Sequence, residues 1–266
     1  MRTLILAIVG LLFFATLAGA QESGDKDPAM KAQNPLANII SMPFQNNTDF
    51  GIGEYDRTSN VLNIQPIYPI NLGKEWILIN RFIVPFPKTV PDAGVESGST
   101  TGLGDINYTA WFSPPPSGAL TWGFGLVSIW PTATDPALGS GKFSIGPSFV
   151  LVHTSPKFLV AAVIADWISV AGKSDRPDVH TFYFQYILTY FLPQKWYIST
   201  APINTANWEA EKGQRWTVPI GGGFGKMFNI GSLPLDFQTQ AFYYLATPNG
   251  GPDWQLRVQL KLIFPK

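Results

Sequence analysis

The chain has 266 residues, with 18 Lys+Arg against 18 Asp+Glu, two His and no Cys. Charged residues make up 14%, against roughly 25% in a soluble globular chain, and the even charge balance argues against a nucleic-acid binder. Nine Trp, nine Tyr and 19 Phe argue against disorder. The absence of Cys excludes thiol catalysis, Cys-ligated zinc and disulfide scaffolds.

Residues 1–20 read as a cleaved signal peptide. Met1-Arg2 supplies a positive start, Leu4 to Leu17 is nearly all apolar, and Ala18-Gly19-Ala20 fits the small-x-small cleavage rule. Residues 21–37, with Asp25, Lys26, Asp27 and Lys31, form a polar N-terminal arm, mobile or partly inserted into the domain behind it. The remainder, 38–266, is one domain. Its longest apolar run, Phe158 to Ala165, is far shorter than the ~18 residues of a helical span.

From Asn38 onward, turn signals separate β-rich segments. Between Trp254 and Leu262 every even position is apolar and every odd one is Gln, Arg, Gln or Lys. Period 2 places these sets on opposite faces of a strand. Leu62 and Ile64 against Asn63 and Gln65 repeat the arrangement, as do Tyr108, Ala110 and Phe112 against Asn107 and Thr109. Phe143 and Ile145 against Lys142 and Ser144 do so again, with Phe182 and Phe184 against Thr181 and Gln185 further on. Segments 76–84, 122–130 and 158–168 alternate poorly and leave their facing open.

Twelve strands are predicted, near 38–50, 59–70, 75–87, 102–113, 121–132, 141–153, 157–170, 179–192, 195–204, 214–228, 234–246 and 253–265. An even number, with short connections at one end and long ones at the other, is the pattern of outer-membrane barrels. The fold class read here is all-β, an up-and-down antiparallel transmembrane β-barrel. A soluble sandwich also alternates, so three features tip the balance. The polar face carries large amides and charges, and formal charges gather in the long loops. Trp and Tyr (Tyr68, Trp76, Trp111, Trp130, Trp167, Trp196, Trp216, Trp254) fall near strand ends, where interfacial girdles sit.

Several stretches resemble a family of Gram-negative outer-membrane barrels labelled transporter or, by a misnomer, neuromedin U. They include Asn34-Pro35-Leu36-Ala37-Asn38, Leu62-Asn63-Ile64-Gln65-Pro66, Gly102-Leu103-Gly104-Asp105 and Leu138-Gly139-Ser140-Gly141-Lys142. Arg176-Pro177-Asp178-Val179, Trp208-Glu209-Ala210-Glu211, Trp216-Thr217-Val218-Pro219-Ile220 and Gly250-Gly251-Pro252-Asp253-Trp254 continue the likeness. The chain is more distantly similar to barrels of phenol and aromatic degradation pathways. The resemblance implies an outer-membrane location and transport of small molecules, small organic or aromatic compounds among them. It supplies no catalytic residues. The ending Pro265-Lys266 departs from barrels that finish on an aromatic residue, a place Phe264 would take.

The lumen is the candidate site. An arginine facing mid-bilayer lipid costs ~2–4 kcal/mol, so Arg81 and Arg257 are expected to point inward. With them go Gln45, Asn47, Asp49, Asn63, Gln65, Asp105, Asn107, Lys142, Gln185, Gln238, Gln240, Gln255, Gln259 and Lys261. These residues either line a narrow conduit or interlock and plug it. Asp175, Arg176 and Asp178, near the rim with Asp49, Asp105 and Lys142, form a solute entry or a network that pins the loops. No metal site, cofactor or enzyme activity is expected. The expected partners are outer-membrane lipid and lipopolysaccharide, a small-molecule solute and, during insertion, the barrel-assembly machinery.

Other readings are weaker. His153 and His180 fall at opposite barrel ends, so a paired metal site is not expected. His180 lies at the depth where a lipid-modifying outer-membrane enzyme would place a catalytic histidine, but no serine can be set beside it. Gly221-Gly222-Gly223-Phe224-Gly225-Lys226 fails the phosphate-loop pattern, with Ile220 and Met227 where Gly and Ser or Thr belong. A sealed structural or adhesive barrel is the alternative to a channel.

Overall fold

The computed structural model describes residues 28–264. The expected signal peptide, the first part of the arm and Pro265-Lys266 lie outside the described residues. In chain order come a short helix α1 (Pro28–Gln33) and the strands β1 (Ile40–Ile52), β2 (Arg57–Ile64), β3 (Ile67–Leu72), β4 (Trp76–Pro91), β5 (Ser99–Gly102), β6 (Ile106–Ser113) and β7 (Leu120–Trp130). The chain continues through β8 (Lys142–Thr154), β9 (Phe158–Gly172), β10 (His180–Phe191), β11 (Trp196–Thr200), β12 (Ile203–Asn207), β13 (Trp216–Ile230), β14 (Leu233–Ala246) and β15 (Trp254–Phe264).

These segments make twelve antiparallel staves, because β2–β3, β5–β6 and β11–β12 each form one interrupted stave. β15 pairs β1 from Ile40↔Phe264 to Phe50↔Trp254, which closes the barrel. Two interruptions fall at prolines, Pro66 and Pro202, which lack the N–H that a ladder needs. The register nevertheless runs through both, as Phe44↔Ile64 and Ser41↔Ile67 show for the first. Connections at the end holding α1 are short, and those at the far end are longer, matching periplasmic turns and outer loops.

The outer face is apolar. Phe82, Phe124, Leu126, Phe149, Ile164, Leu188, Phe224 and Leu260 are exposed there, where lipid would replace water. Aromatic side chains sit at both ends of this band: Trp76 packs edge-on to Trp122 at the short-turn end, and Phe50 stacks on Trp254 at the other. Trp111 and Trp167 correct the girdle expected from sequence. Trp111 is 2% exposed and points inward, where its indole N–H donates to Ser148 Oγ at 2.9 Å. Trp167 pairs with Thr181 on the inner face and lies 6.1 Å from the ring of Tyr183. Position near a strand end did not decide their facing; the parity of the strand did.

Residues 28–37 enter the short-turn end of the lumen. Pro28 suits the first helical position, and Ala, Met, Lys and Gln then favour helix. Asn34-Pro35 stops it, since a residue before proline disfavours the helical region. Asn34 Oδ1 accepts from Leu36 N at 2.8 Å, turning the chain toward β1. Met30 and Leu36 pack into one buried cluster with Ile77, Ile79, Trp111, Val150, Val152, Leu159, Ala161 and Val163. Ala29 and Ala32 pack with Met227 and Ile263. Full burial of a side chain such as Met or Leu contributes about 1.5–3 kcal/mol, so these two anchor the segment. Gly123 eases the fit: a Cβ there would stand 3.1 Å from Leu36 Cδ2, which would have to give way.

Candidate functional site

The inner surface has two unlike walls. β4, β6, β8 and β9 turn Ile77, Ile79, Trp111, Val150, Val152, Leu159, Ala161 and Val163 inward against the N-terminal segment. β14, β15 and β1 turn Asp236, Gln238, Gln240, Arg257, Gln259 and Asn47 inward, all buried. Cross-strand pairs align this polar set in rows, with Gln45 opposite Gln259 and Asn47 opposite Arg257. Gln238 and Gln240 continue the rows on β14.

Arg257 braces the polar wall. Its Nε donates to Asn47 Oδ1 (3.1 Å), its Nη1 to Ala201 O (2.8 Å) and its Nη2 to Gln255 Oε1 (3.1 Å). The Phe242 ring lies 4.8 Å from the guanidinium. Ala201 precedes Pro202, so the interruption between β11 and β12 frees a carbonyl for the lumen. That carbonyl also accepts from Gln185 Nε2 at 3.2 Å. Gln185 in turn accepts from the Tyr183 hydroxyl. Asp49, higher in the lumen, accepts from Tyr244 OH (2.8 Å) and Gln255 Nε2 (2.9 Å). Gln240 Nε2 donates to Ser199 O at 3.1 Å.

A polar clamp fastens the N-terminal segment to this wall. Gln33 Nε2 donates to Asp236 Oδ2 (2.8 Å) and to Tyr197 OH (3.0 Å), and the tyrosine hydroxyl donates to Asp236 Oδ1 (2.8 Å). Lys261 Nζ donates to Ala32 O. Sequence reading missed Asp236 and Tyr197. Asp236 was within reach, because it continues the period-2 row of Gln238 and Gln240. Tyr197 gave no such signal.

Between the segment and the wall lies a cavity of about 110 Å³. Arg81, Gln65, Gln185, Gln238, Gln259 and Lys261 face it from the barrel. Arg81 Nη2 donates to Gln65 Oε1 at 2.8 Å. Asn63 faces the same way as Gln45, its register partner, while Asn107 accepts from Thr109 Oγ1 at 3.2 Å farther round the barrel.

The remaining sequence-selected residues gather at the rim. Asp105 accepts from Ala133 N, Ser140 N and Ser140 Oγ, the closest at 2.7 Å. Arg176 donates to the carbonyls of Pro136, Gly139 and Ser140. Lys142 pairs with Asp178 at 2.9 Å, and this hydrogen-bonded ammonium holds the Asp178 carboxyl below the usual carboxylate range. Asp175 is exposed. These contacts tie the loop after β7 to the loop after β9.

His153 lies at the short-turn end opposite Leu120. His180, at the far end, faces outward beside Asp166, with Nε2 and Oδ1 2.9 Å apart. The two strands of a hairpin bring this pair together. Among the described residues no serine is hydrogen-bonded to His180, and no cluster of His, Asp and Glu is arranged to hold a metal ion.

No protein-family profile and no curated protein matches the sequence. Solved structures do. An outer-membrane channel from Pseudomonas putida F1 is 18% identical and superposes with a TM-score of 0.66, covering 92% of this chain and 100% of that one. The NanC porin is 6% identical, with a TM-score of 0.55 over 85% of this chain and 100% of its own. The fold is therefore that of the outer-membrane β-barrels, and these two neighbours are a channel and a porin.

Proposed function

We propose that the protein sits in the bacterial outer membrane and passes small molecules through a narrow lumen that its own N-terminal segment closes. The observation that carries this reading is the cavity left between that segment and the amide-rich wall, lined by amides and cations beside Ile67, Val163 and Ile187. A barrel meant only to be solid would fill such space with apolar side chains. Here the amides and cations keep it wettable. The channel and porin neighbours support the same reading, as does the resemblance to the transporter-labelled family, which adds small organic or aromatic compounds as candidate solutes. Lipid and lipopolysaccharide would surround the aromatic-flanked outer band.

One observation favours a second reading, a sealed structural barrel. Met30 and Leu36 are buried at 2% and 1% exposure, within the range of the barrel's own core residues. Single-channel recording separates the two. Met30→Asp puts a carboxylate into the apolar cluster, where an unpaired charge is costly, and should release the segment. Frequent, larger conductance steps than the wild type are expected. A folded Met30→Asp barrel that stays silent sinks the channel reading and leaves the sealed one.

A further inference from the structure

We propose that the lumen cavity is a binding site for a small organic anion, a carboxylate carried on a short apolar chain. The proposal names the solute class for the channel reading above and rests on it. Four basic side chains line the cavity, Lys31, Arg81, Arg257 and Lys261, and among the described residues no Asp or Glu does. Their roles differ. Arg257 spends its donors on three protein oxygens, and Lys261 reaches Ala32 O. Arg81 has one hydrogen bond, to Gln65, and its Nε is buried without a partner.

A buried guanidinium donor with no acceptor carries its full desolvation cost. Arg81 and Lys261, two like charges, line the same cavity. Asp236 attracts Lys261 but is already engaged by Tyr197 and Gln33 and does not line the cavity. An anion between Arg81 and Lys261 answers both deficits at once. A carboxylate suits the planar donor fork of arginine, which can offer it two parallel hydrogen bonds.

The rest of the lining describes the other end of the ligand. Ile67, Val163 and Ile187 border the same space, so a short hydrocarbon can leave water there while the carboxylate meets Arg81. An apolar protein cavity of about 150 Å³ accommodates benzene. This smaller one takes about four or five non-hydrogen atoms, the carboxylate and first carbons of a ligand such as hexanoate, whose tail continues along the lumen.

The test is calorimetric titration of the refolded full mature chain with hexanoate, hexanol and hexylamine, using empty micelles as the blank. Hexanoate should bind about tenfold or more tightly than hexanol, and hexylamine should not bind. Gln65→Glu keeps the side-chain volume and sets a permanent carboxylate 2.8 Å from Arg81 Nη2. It should weaken hexanoate about tenfold or more and leave hexanol unchanged. Arg81→Gln should act in the same direction, with heat-modifiable gel migration confirming that it folds. Equal binding of hexanoate and hexanol, or a Gln65→Glu protein that binds hexanoate like wild type, overturns the proposal. Failure here is separate from failure of the channel reading. Hexanoate binding beside a silent Met30→Asp barrel keeps the anion site and removes the channel. Conductance without hexanoate preference does the reverse.

Discussion

The two walls of the lumen solve the same problem in opposite ways. On β4, β6, β8 and β9 the inner face near the short turns is apolar where Met30 and Leu36 cover it. On β14, β15 and β1 it is polar, and the side chains satisfy one another around Arg257. The apolar wall is held by packing, which tolerates no gaps. The polar wall is held by hydrogen bonds that water could replace. The first therefore governs whether the N-terminal segment stays seated, and the second what can share the lumen with it.

That contrast fails if the two walls respond alike to truncation. Trp111→Ala removes the largest buried side chain of the apolar wall and should cost about 3–5 kcal/mol in denaturant unfolding. The substitution also empties space in the cluster that holds Met30. Arg257→Met should cost less, about 1–2 kcal/mol, since its three abandoned acceptors can turn to lumen water. A larger loss at Arg257 than at Trp111 would reverse the assignment of roles.

The smallest effect belongs to the rim, above both walls. Asp178 titrates below the ordinary carboxylate range because Lys142 stabilises its charged form. Its contribution is complete above the unfolded carboxylate value of about 3.9 and is lost as pH falls through the lower folded value. Amide hydrogen exchange in the loop 173–179, set against an unstructured peptide at the same pH, should therefore rise as pH falls below that range. The Lys142→Met variant should already show the increase at neutral pH, while unfolding of the barrel itself changes little. Equal exchange in both proteins at every pH would remove the pin from the account.

Legibility in the sequence followed the same division. β15 alternates strictly because its two sides meet lipid and a polar lumen, so period 2 placed Arg257, Gln259 and Lys261 on the inner face. In 76–84 and 158–168 the alternation fades because Ile77, Ile79, Leu159, Ala161 and Val163 face an apolar partner across the lumen. Nothing local to those strands announces that partner, a segment tens of residues away. Arg81 alone marked the inward side of β4. The stave count and the placement of long loops at one end were readable, because turn residues and length suffice for both. The contacts of Asp105 with Ser140 and of Arg176 with Gly139 were not, since they join loops 35 and 37 residues apart. His180 was singled out, but Asp166 beside it required the hairpin register.

Closure of the sheet through β1 and β15 has a temporal consequence. Asn47 and Arg257, neighbours in the finished wall, are 210 residues apart in the chain. Contacts of such long sequence separation form late, after most of the chain's loop entropy has been spent. The segment 28–37 immediately precedes the first of the two strands that must meet, so it hangs at the seam until the final pairing. Once β15 zips onto β1 there is no open edge left to admit it sideways. The last step of assembly is therefore expected to join the sheet and enclose the segment together, and a slow seam would prolong the interval in which the barrel is open along its side.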